Sequence, residues 1–204
     1  MITHNKKMRT THKIIFEDAR RMGDIKELAD ESIDLMITSP PYPMIEMWDK
    51  IFSEQNPLVK EALDKGNGEK AFEEIHKELD KIWKEVYRVL KKGGWACINI
   101  GDATRKLGDS FKLYPNHARI LSYCMGIGFD VLPEIIWRKQ SNKPNKFMGS
   151  GTLPAGAYVS LEHEYILILR KGNKRNFKTD EDKLTRQKSS YFFEERNKWF
   201  SDVW

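Results

Sequence analysis

The five residues Thr38-Ser39-Pro40-Pro41-Tyr42 combine hydrogen-bond acceptors with an aromatic ring, directly after an apolar run. That run, residues 33–37, predicts a buried strand, and two prolines end it because proline lacks an N–H and has a restricted φ. The backbone must then leave stiffly at the carboxyl edge, where open α/β sheets bind ligands. Ser39 and the carbonyls of Ser39 and Pro40 would lie beside the Tyr42 ring and suit a planar group bearing an NH2. An ordinary strand-to-loop exit is the alternative.

The rest of the chain predicts the alternating strands and helices of an α/β fold. The longest helix is expected at residues 69–90, where apolar residues recur every three or four positions, and Lys91-Lys92-Gly93-Gly94 is expected to end it. Strands are expected at residues 13–17, 33–38, 95–100, 129–137 and 161–169, and further helices at 19–30 and 114–125. Residues 43–68 have a less regular pattern and predict a long loop, either a lid or a plain surface insertion.

The strand predicted at residues 95–100 ends in Gly101-Asp102, small and acidic residues. In a parallel sheet this end would meet the same edge as Tyr42. Asn99 and Asp102 are therefore expected to line the edge beside Tyr42.

Composition limits the class of protein. The chain has 204 residues, enough for one domain, and lacks both a membrane-length apolar run and the apolar part of a signal peptide. We therefore expect a soluble protein located in the cytoplasm. Two cysteines without metal-type spacing support neither a disulfide framework nor a zinc site, and Cys97 is expected to be a buried core thiol.

The formal net charge is +5, and the basic residues are unevenly distributed. Residues 138–146 contain four basic residues and no acid, and residues 170–188 contain eight basic residues against three acidic ones. Such a distribution indicates a polyanionic partner, although a solvated basic tail fits the charges equally well.

Taken in order, these segments resemble the amino-methylating DNA methyltransferases of restriction–modification systems. The resemblance is carried by Ser-Pro-Pro-Tyr after a strand, by Lys91–Gly94 with the strand after it, and by Ile136-Trp137-Arg138-Lys139. Residues 162–167 and 194–197, with Trp199 after them, add to it. A serine before the proline pair, rather than Asp or Asn, resembles the cytosine-N4 members, and adenine-N6 members share the same type of pocket.

The resemblance implies a Rossmann-like α/β methyltransferase sheet, mostly parallel with one antiparallel strand and incomplete in this chain. It further implies S-adenosyl-L-methionine as cofactor and double-stranded DNA as partner. The implied catalytic residues are Ser39, Pro40, Pro41 and Tyr42, the cofactor-binding residues are Asp18, Thr38, Asn99 and Asp102, and the DNA-binding residues are Arg138, Lys139, Lys143 and Lys146. For Asp18, a simple cap at a strand end is the alternative.

One part of the family pattern is not matched. The family's cofactor half begins with a strand ending in Asp-Pro-Phe-x-Gly-x-Gly, and its strands lie between the first strand and the strand before Ser-Pro-Pro-Tyr. Residues 147–152 match Phe-x-Gly-x-Gly in letters, but neither a strand before them nor a helix after them is predicted. We expect a catalytic core at residues 13–170 with a recognition loop at about 138–160, then a basic and aromatic tail at 171–204. A partner chain or a further segment would supply the cofactor half, or the protein would be a non-catalytic DNA-binding subunit.

Overall fold

The computed structural model of the chain describes residues 10–139 and 159–204, which form a four-stranded sheet, a two-stranded hairpin and surrounding helices. The strands are β1 (Ile33–Thr38), β2 (Leu90–Ile100), β3 (Ala103–Leu107), β4 (Ser110–Tyr114), β5 (Phe129–Arg138) and β6 (His163–Lys171). The α-helices are α1 (Asp49–Gln55), α2 (Pro57–Asp64), α3 (Gly68–Val89), α4 (Asn116–Gly126), α5 (Asp180–Lys188) and α6 (Phe193–Trp199), and Ala19–Asp24 and Glu46–Trp48 are short 3-10 helices.

The main sheet has the strand order β1-β2-β6-β5. β1 pairs with β2 in parallel, and β6 is antiparallel to both of its neighbours. Three strands therefore run in one direction and β6 runs in the other, which confirms the expected mostly parallel sheet with one antiparallel strand. Because Thr38 is in register with Ile98, the carboxyl ends of β1 and β2 lie side by side.

α3 connects β1 to β2 and covers one face of the sheet. Asn67 caps its first turn by accepting the Lys70 N–H at 3.0 Å. Its buried residues form one core with alternate β2 side chains: Ile75, Leu79 and Trp83 of α3 and Ala96, Ile98 and Ile100 of β2. In the part of the chain that the structure describes, no helix is long and apolar enough to span a membrane.

The prediction of a strand at residues 13–17 is wrong. These residues are irregular, and the side chains of Ile14 and Phe16 are 79% and 93% exposed. A strand needs a neighbour to receive its hydrogen bonds, and among the described residues β1 pairs only with β2. The helix expected at 19–30 is reduced to the 3-10 helix at Ala19–Asp24.

Three further expectations are corrected. α3 ends at Val89, and Lys91–Gly94 belongs to β2, with Gly93 at φ +75°. The segment 43–68 is largely helical, because α1 and α2 bury Phe52, Val59 and Ala62 beside α3. Cys97 is only partly buried, since it lies on the face of β2 opposite α3, and Cys124 is the fully buried thiol.

The last residues of the chain pair with the edge of β5. The Ile136 N–H donates to the Asp202 carbonyl at 2.8 Å, and the Trp204 N–H donates to the Ile136 carbonyl at 2.9 Å. This parallel bridge covers part of β5, whereas the outer edge of β1 has no strand beside it in the described residues.

The two faces of the sheet predict different costs for the same substitution. Ile98 is fully buried and Ile37 is 73% exposed, although the two lie close together on paired strands. We expect Ile98→Ala to lower the free energy of unfolding by about 2–5 kcal/mol and Ile37→Ala by less than about 0.5 kcal/mol. Denaturant unfolding of both variants measures the difference. Equal losses would mean that the outer face of β1 is covered in solution.

Candidate active site at the carboxyl edge of the sheet

Tyr42 begins a tight turn that directs the chain away from β1. The Ile45 N–H donates to the Tyr42 carbonyl at 3.3 Å, with Pro43 in the second position and Met44 at φ +66° in the third. Proline in the second position and a positive φ in the third are typical of a type II turn. Met44 accepts a conformation that disfavours its side chain because that side chain is buried in the core. The proline pair before Tyr42 and the turn after it thus both restrict the Tyr42 backbone.

The Tyr42 hydroxyl joins three elements of the fold. It donates to the Glu164 carboxylate at 2.9 Å and accepts from the Asn99 amide at 2.7 Å and from the Ser39 hydroxyl at 3.3 Å. Burial, with a smaller contribution from Glu164, raises the pKa of Tyr42 to about 12. The phenol is therefore neutral at physiological pH and keeps the proton that it donates to Glu164.

Gly101 forms the surface against which the Tyr42 ring packs. A Cβ at Gly101 would lie 3.1 Å from Cε2 of Tyr42 and 3.3 Å from Cγ of Glu164. These contacts are tighter than ordinary van der Waals packing. Glycine is therefore needed here for close approach, because any side chain would push against the ring or the carboxylate.

Asn116 links the turn after β1 to the end of β2. Its fully buried amide donates to the Gly101 carbonyl at 2.9 Å and to the Pro43 carbonyl at 3.1 Å. Its Oδ1 lies 3.1 Å from Nε2 of His76 on α3. Burial lowers the pKa of His76 to about 3, so the ring is neutral and donates to Asn116. The turn after β1 and the end of β2 are thereby fastened to one core side chain.

Asp102 lies at the same edge but is engaged with α4. Its carboxylate accepts the His117 backbone N–H at 3.1 Å and faces Nδ1 of the same residue at 2.8 Å. The His117 ring stacks on Tyr165 with 3.9 Å between ring centroids. Asn99 and Asp102 thus both lie at this edge, as expected, and both side chains are hydrogen-bonded to other residues of the protein.

Asp18 caps the 3-10 helix that follows it. Its carboxylate accepts the Arg20 backbone N–H at 2.9 Å and also binds the Arg20 guanidinium, which reaches Glu78 on α3 at 2.8 Å. The Arg20 hydrogen bonds lower the pKa of Asp18 to about 2. Asp18 thus caps a helix and not the end of a strand, and a contact of Asp18 with a cofactor stays a prediction.

Two of the expected DNA-binding residues, Arg138 and Lys139, belong to the described part of the chain, and the other two do not. Arg138 ends β5 with a side chain that is 75% exposed and lies 3.6 Å from Glu162. Lys139 is 3.2 Å from the Glu164 carboxylate, and its Nζ lies 3.4 Å above the centre of the Trp137 ring. Lys143, Lys146, the glycine-containing stretch 147–152 and most of the proposed recognition loop fall outside the described residues.

Sequence reasoning did not assign Glu164, Gly101 or Asn116 to the site. Glu164 lies inside a stretch that carries the family resemblance, and Gly101 directly follows a strand, so each offered a signal. Asn116 offered none, because its role depends on the distance between two backbone carbonyls that are far apart in sequence.

Comparison with known proteins defines the class. The sequence model of the N6/N4 family, described as DNA methylase, matches residues 33–204. The chain belongs to this DNA methylase family. The matched range begins at β1 and includes the whole edge around Tyr42.

Two named relatives and one solved structure are similar to this chain. It is 57% identical over 198 residues to the Type II methyltransferase M.MthZI of Methanothermobacter thermautotrophicus, covering 97% of this chain and 55% of the relative. It is 52% identical over 206 residues to the Type II methyltransferase M.MjaI of Methanocaldococcus jannaschii, covering 96% of this chain and 66% of the relative. The chain thus spans between about half and two thirds of the length of these relatives.

The structural match is with a DNA modification methylase of Thermus thermophilus, TTHA0409, solved in complex with S-adenosyl-L-methionine. The TM-score is 0.66 at 30% identity, over 92% of this chain and 65% of that one. The structural match and the family match therefore agree that this chain has a methyltransferase-like fold.

The packing of Tyr42 on Gly101 leads to a prediction. We expect Gly101→Ala to destabilise the protein by about 1–3 kcal/mol, because the added methyl group overpacks the ring and the carboxylate. Gly126→Ala in α4 is the matched control, since a Cβ there meets nothing within 4 Å and should be neutral or slightly stabilising. Thermal and denaturant unfolding measure both. A Gly101→Ala variant as stable as the control would contradict the close approach.

Proposed function

We propose that this chain is the base-binding part of an S-adenosyl-L-methionine-dependent DNA methyltransferase that modifies the exocyclic N4 amine of cytosine in double-stranded DNA. The observation that carries the proposal is the anchored Tyr42 ring beside Ser39 at the carboxyl end of β1. Family membership and the naming of its relatives as Type II methyltransferases support DNA methylation. Cytosine N4 is favoured over adenine N6 by the serine before the proline pair.

Tyr42 would hold the target base. A base inside a duplex must first leave the stack, at a cost of a few kcal/mol. Stacking on the partly exposed Tyr42 ring offsets this by roughly 1–3 kcal/mol. The ring needs no induced movement, since the contact with Gly101 and the hydrogen bond to Glu164 together hold it.

Ser39 and Pro40 would prepare the amine for reaction. The lone pair of an exocyclic amine is delocalised into its ring, so the amine is a poor nucleophile. Acceptance of its N–H hydrogens by the Ser39 hydroxyl and by the Ser39 or Pro40 carbonyl localises that pair. Pro40 and Pro41 make the carbonyls rigid, so little orientation entropy remains to be lost. Neither cysteine is required, because an amine attacks directly.

S-adenosyl-L-methionine, when bound, supplies an electrophilic methyl group. The structural neighbour TTHA0409 was solved with this molecule, which supports it as the donor here. Among the expected contacts, the carboxylates of Asp18 and Asp102 already bind Arg20 and His117, and the Asn99 amide binds Tyr42. These residues do not form an adenosyl cradle by themselves. We therefore assign only the wall on the side of the base to the described residues.

Arg138 and Lys139 extend this edge with positive charge, and they are proposed to contact DNA phosphates, with Lys143 and Lys146 beyond the described part. Phosphate contacts place the duplex without reading its sequence. Recognition of a specific site is proposed for the segment at about 138–160.

Removal of the Tyr42 ring tests the function directly. In the enzyme completed by its cofactor half, with tritiated methyl donor and duplex DNA, we expect Tyr42→Ala to lower methyl transfer by about 5- to 150-fold, which corresponds to the loss of roughly 1–3 kcal/mol of stacking. Tyr42→Phe keeps the ring and should lose less. Tyr191→Ala, an exposed tyrosine near the C-terminal end, is the control and should match the wild type. Equal labelling by wild type and Tyr42→Ala would refute the role, and nucleoside analysis of the product distinguishes cytosine N4 from adenine N6.

A second candidate is a DNA-binding subunit that obtains the cofactor site from another chain. It is favoured by the engaged carboxylates of Asp18 and Asp102 and by the unpaired outer edge of β1 in the described residues. For this candidate, calorimetry of the isolated chain with S-adenosyl-L-methionine should give no heat of binding, while DNA still binds with a steep salt dependence. Stoichiometric binding of the methyl donor would eliminate it.

A further inference from the structure

One oxygen of the Glu164 carboxylate gathers three donors from three elements. Oε2 accepts the Tyr42 hydroxyl at 2.9 Å and the Asn99 amide at 2.7 Å, and it lies 3.2 Å from Nζ of Lys139. Glu164 lies near the start of β6, Asn99 near the end of β2, and Lys139 just after β5. The carboxylate is therefore the point at which the turn carrying Tyr42 is joined to the rest of the edge.

Asn99 supports the view that the negative charge of Glu164 orders this edge. The Asn99 NH2 group donates to both Tyr42 and Glu164, and among the described residues its buried Oδ1 has no hydrogen-bond partner. An unpaired buried acceptor is unfavourable, and the opposite amide orientation would turn that oxygen toward the carboxylate. The charge of Glu164 thus selects the amide orientation that also donates to the Tyr42 hydroxyl.

Lys139 provides the counter-charge. Its ammonium group is held between Glu164 and the face of Trp137, and its backbone N–H donates to the Glu162 carbonyl at 2.7 Å. The ends of β5 and β6 are thus tied together at the residue that follows Arg138, a proposed phosphate contact. A charged pair at 3.2 Å in a partly buried setting keeps the carboxylate in place better than a fully solvated pair does.

We propose that Glu164 is a positioning residue for Tyr42, with Lys139 as its counter-ion, and this inference rests on the proposed base-binding function. Packing on Gly101 confines the Cδ2–Cε2 edge of the Tyr42 ring, and the bond from its hydroxyl to Glu164 confines the tip of the ring. With both points held, the ring presents a fixed surface to the base. Without Glu164 the ring can turn about its side-chain bonds, and a base would stack on it poorly.

The test uses a single-stranded oligonucleotide containing one 2-aminopurine, whose fluorescence is quenched when the base stacks on an aromatic ring. Neither the methyl donor nor a known recognition site is needed. We expect the wild-type chain to quench the probe. In Tyr42→Ala and Glu164→Ala, the quenching should be at least about fivefold weaker. Glu164→Gln should lie between wild type and Glu164→Ala, since its amide oxygen can still accept the Tyr42 hydroxyl. Glu181→Gln, an exposed carboxylate on α5, is the control and should quench like the wild type.

The dissociation constant, read from fluorescence anisotropy, and the unfolding temperature of each variant separate positioning from a general structural effect. Positioning predicts that Glu164→Ala weakens binding no more than Tyr42→Ala does and keeps the unfolding temperature of the wild type while quenching falls. The inference is overturned if Glu164→Ala quenches like the wild type, if Glu164→Gln is no better than Glu164→Ala, or if quenching, affinity and the unfolding temperature fall together. Absence of quenching by the wild type would instead refute the base-binding function itself, which distinguishes the two failures.

Discussion

The parallel pairing of β1 with β2 is the constraint on which the site depends. The register that places Thr38 opposite Ile98 brings the proline exit of one strand beside Asn99 of the other. A shift of one residue would move Asn99 to the opposite face and turn Ile98 and Ile100 out of the core. The burial of Ile98 and Ile100 against α3 therefore sets the position of the amide that binds Tyr42.

The same alternation gives the sheet two different faces. Ala96, Ile98 and Ile100 pack under α3, while Leu35, Ile37 and Trp95 are 52%, 73% and 42% exposed on the other face. Apolar side chains exposed in a row favour a covering partner. The N-terminal stretch 13–17, expected as a strand, has no neighbour of its own in the described residues and stays irregular.

Rigidity at the edge comes from ordinary core chemistry. Two prolines, a buried Met44 in a left-handed conformation and the Asn116 amide hold the turn that carries Tyr42. Each of these features places a backbone or a polar group where it would be unfavourable alone, and the surrounding packing compensates. The edge around Tyr42 is thus held rigid by the fold itself.

Local sequence was sufficient for some of the regular elements and for the type of group that suits the edge. The bounds of β1 and nearly all of α3 follow from the apolar pattern, and the Ser-Pro-Pro-Tyr stretch predicted a place for a planar group bearing an NH2. Methylation of that amine was implied only by the family resemblance. The hairpin β3–β4, the helices α1 and α2, and the true end of α3 were not predicted, since their boundaries depend on packing against distant residues. The same holds for Glu164, Gly101 and Asn116, whose partners lie far away along the chain. Side-chain partnerships across strands are decided by register and close approach, and only the tertiary structure contains those distances.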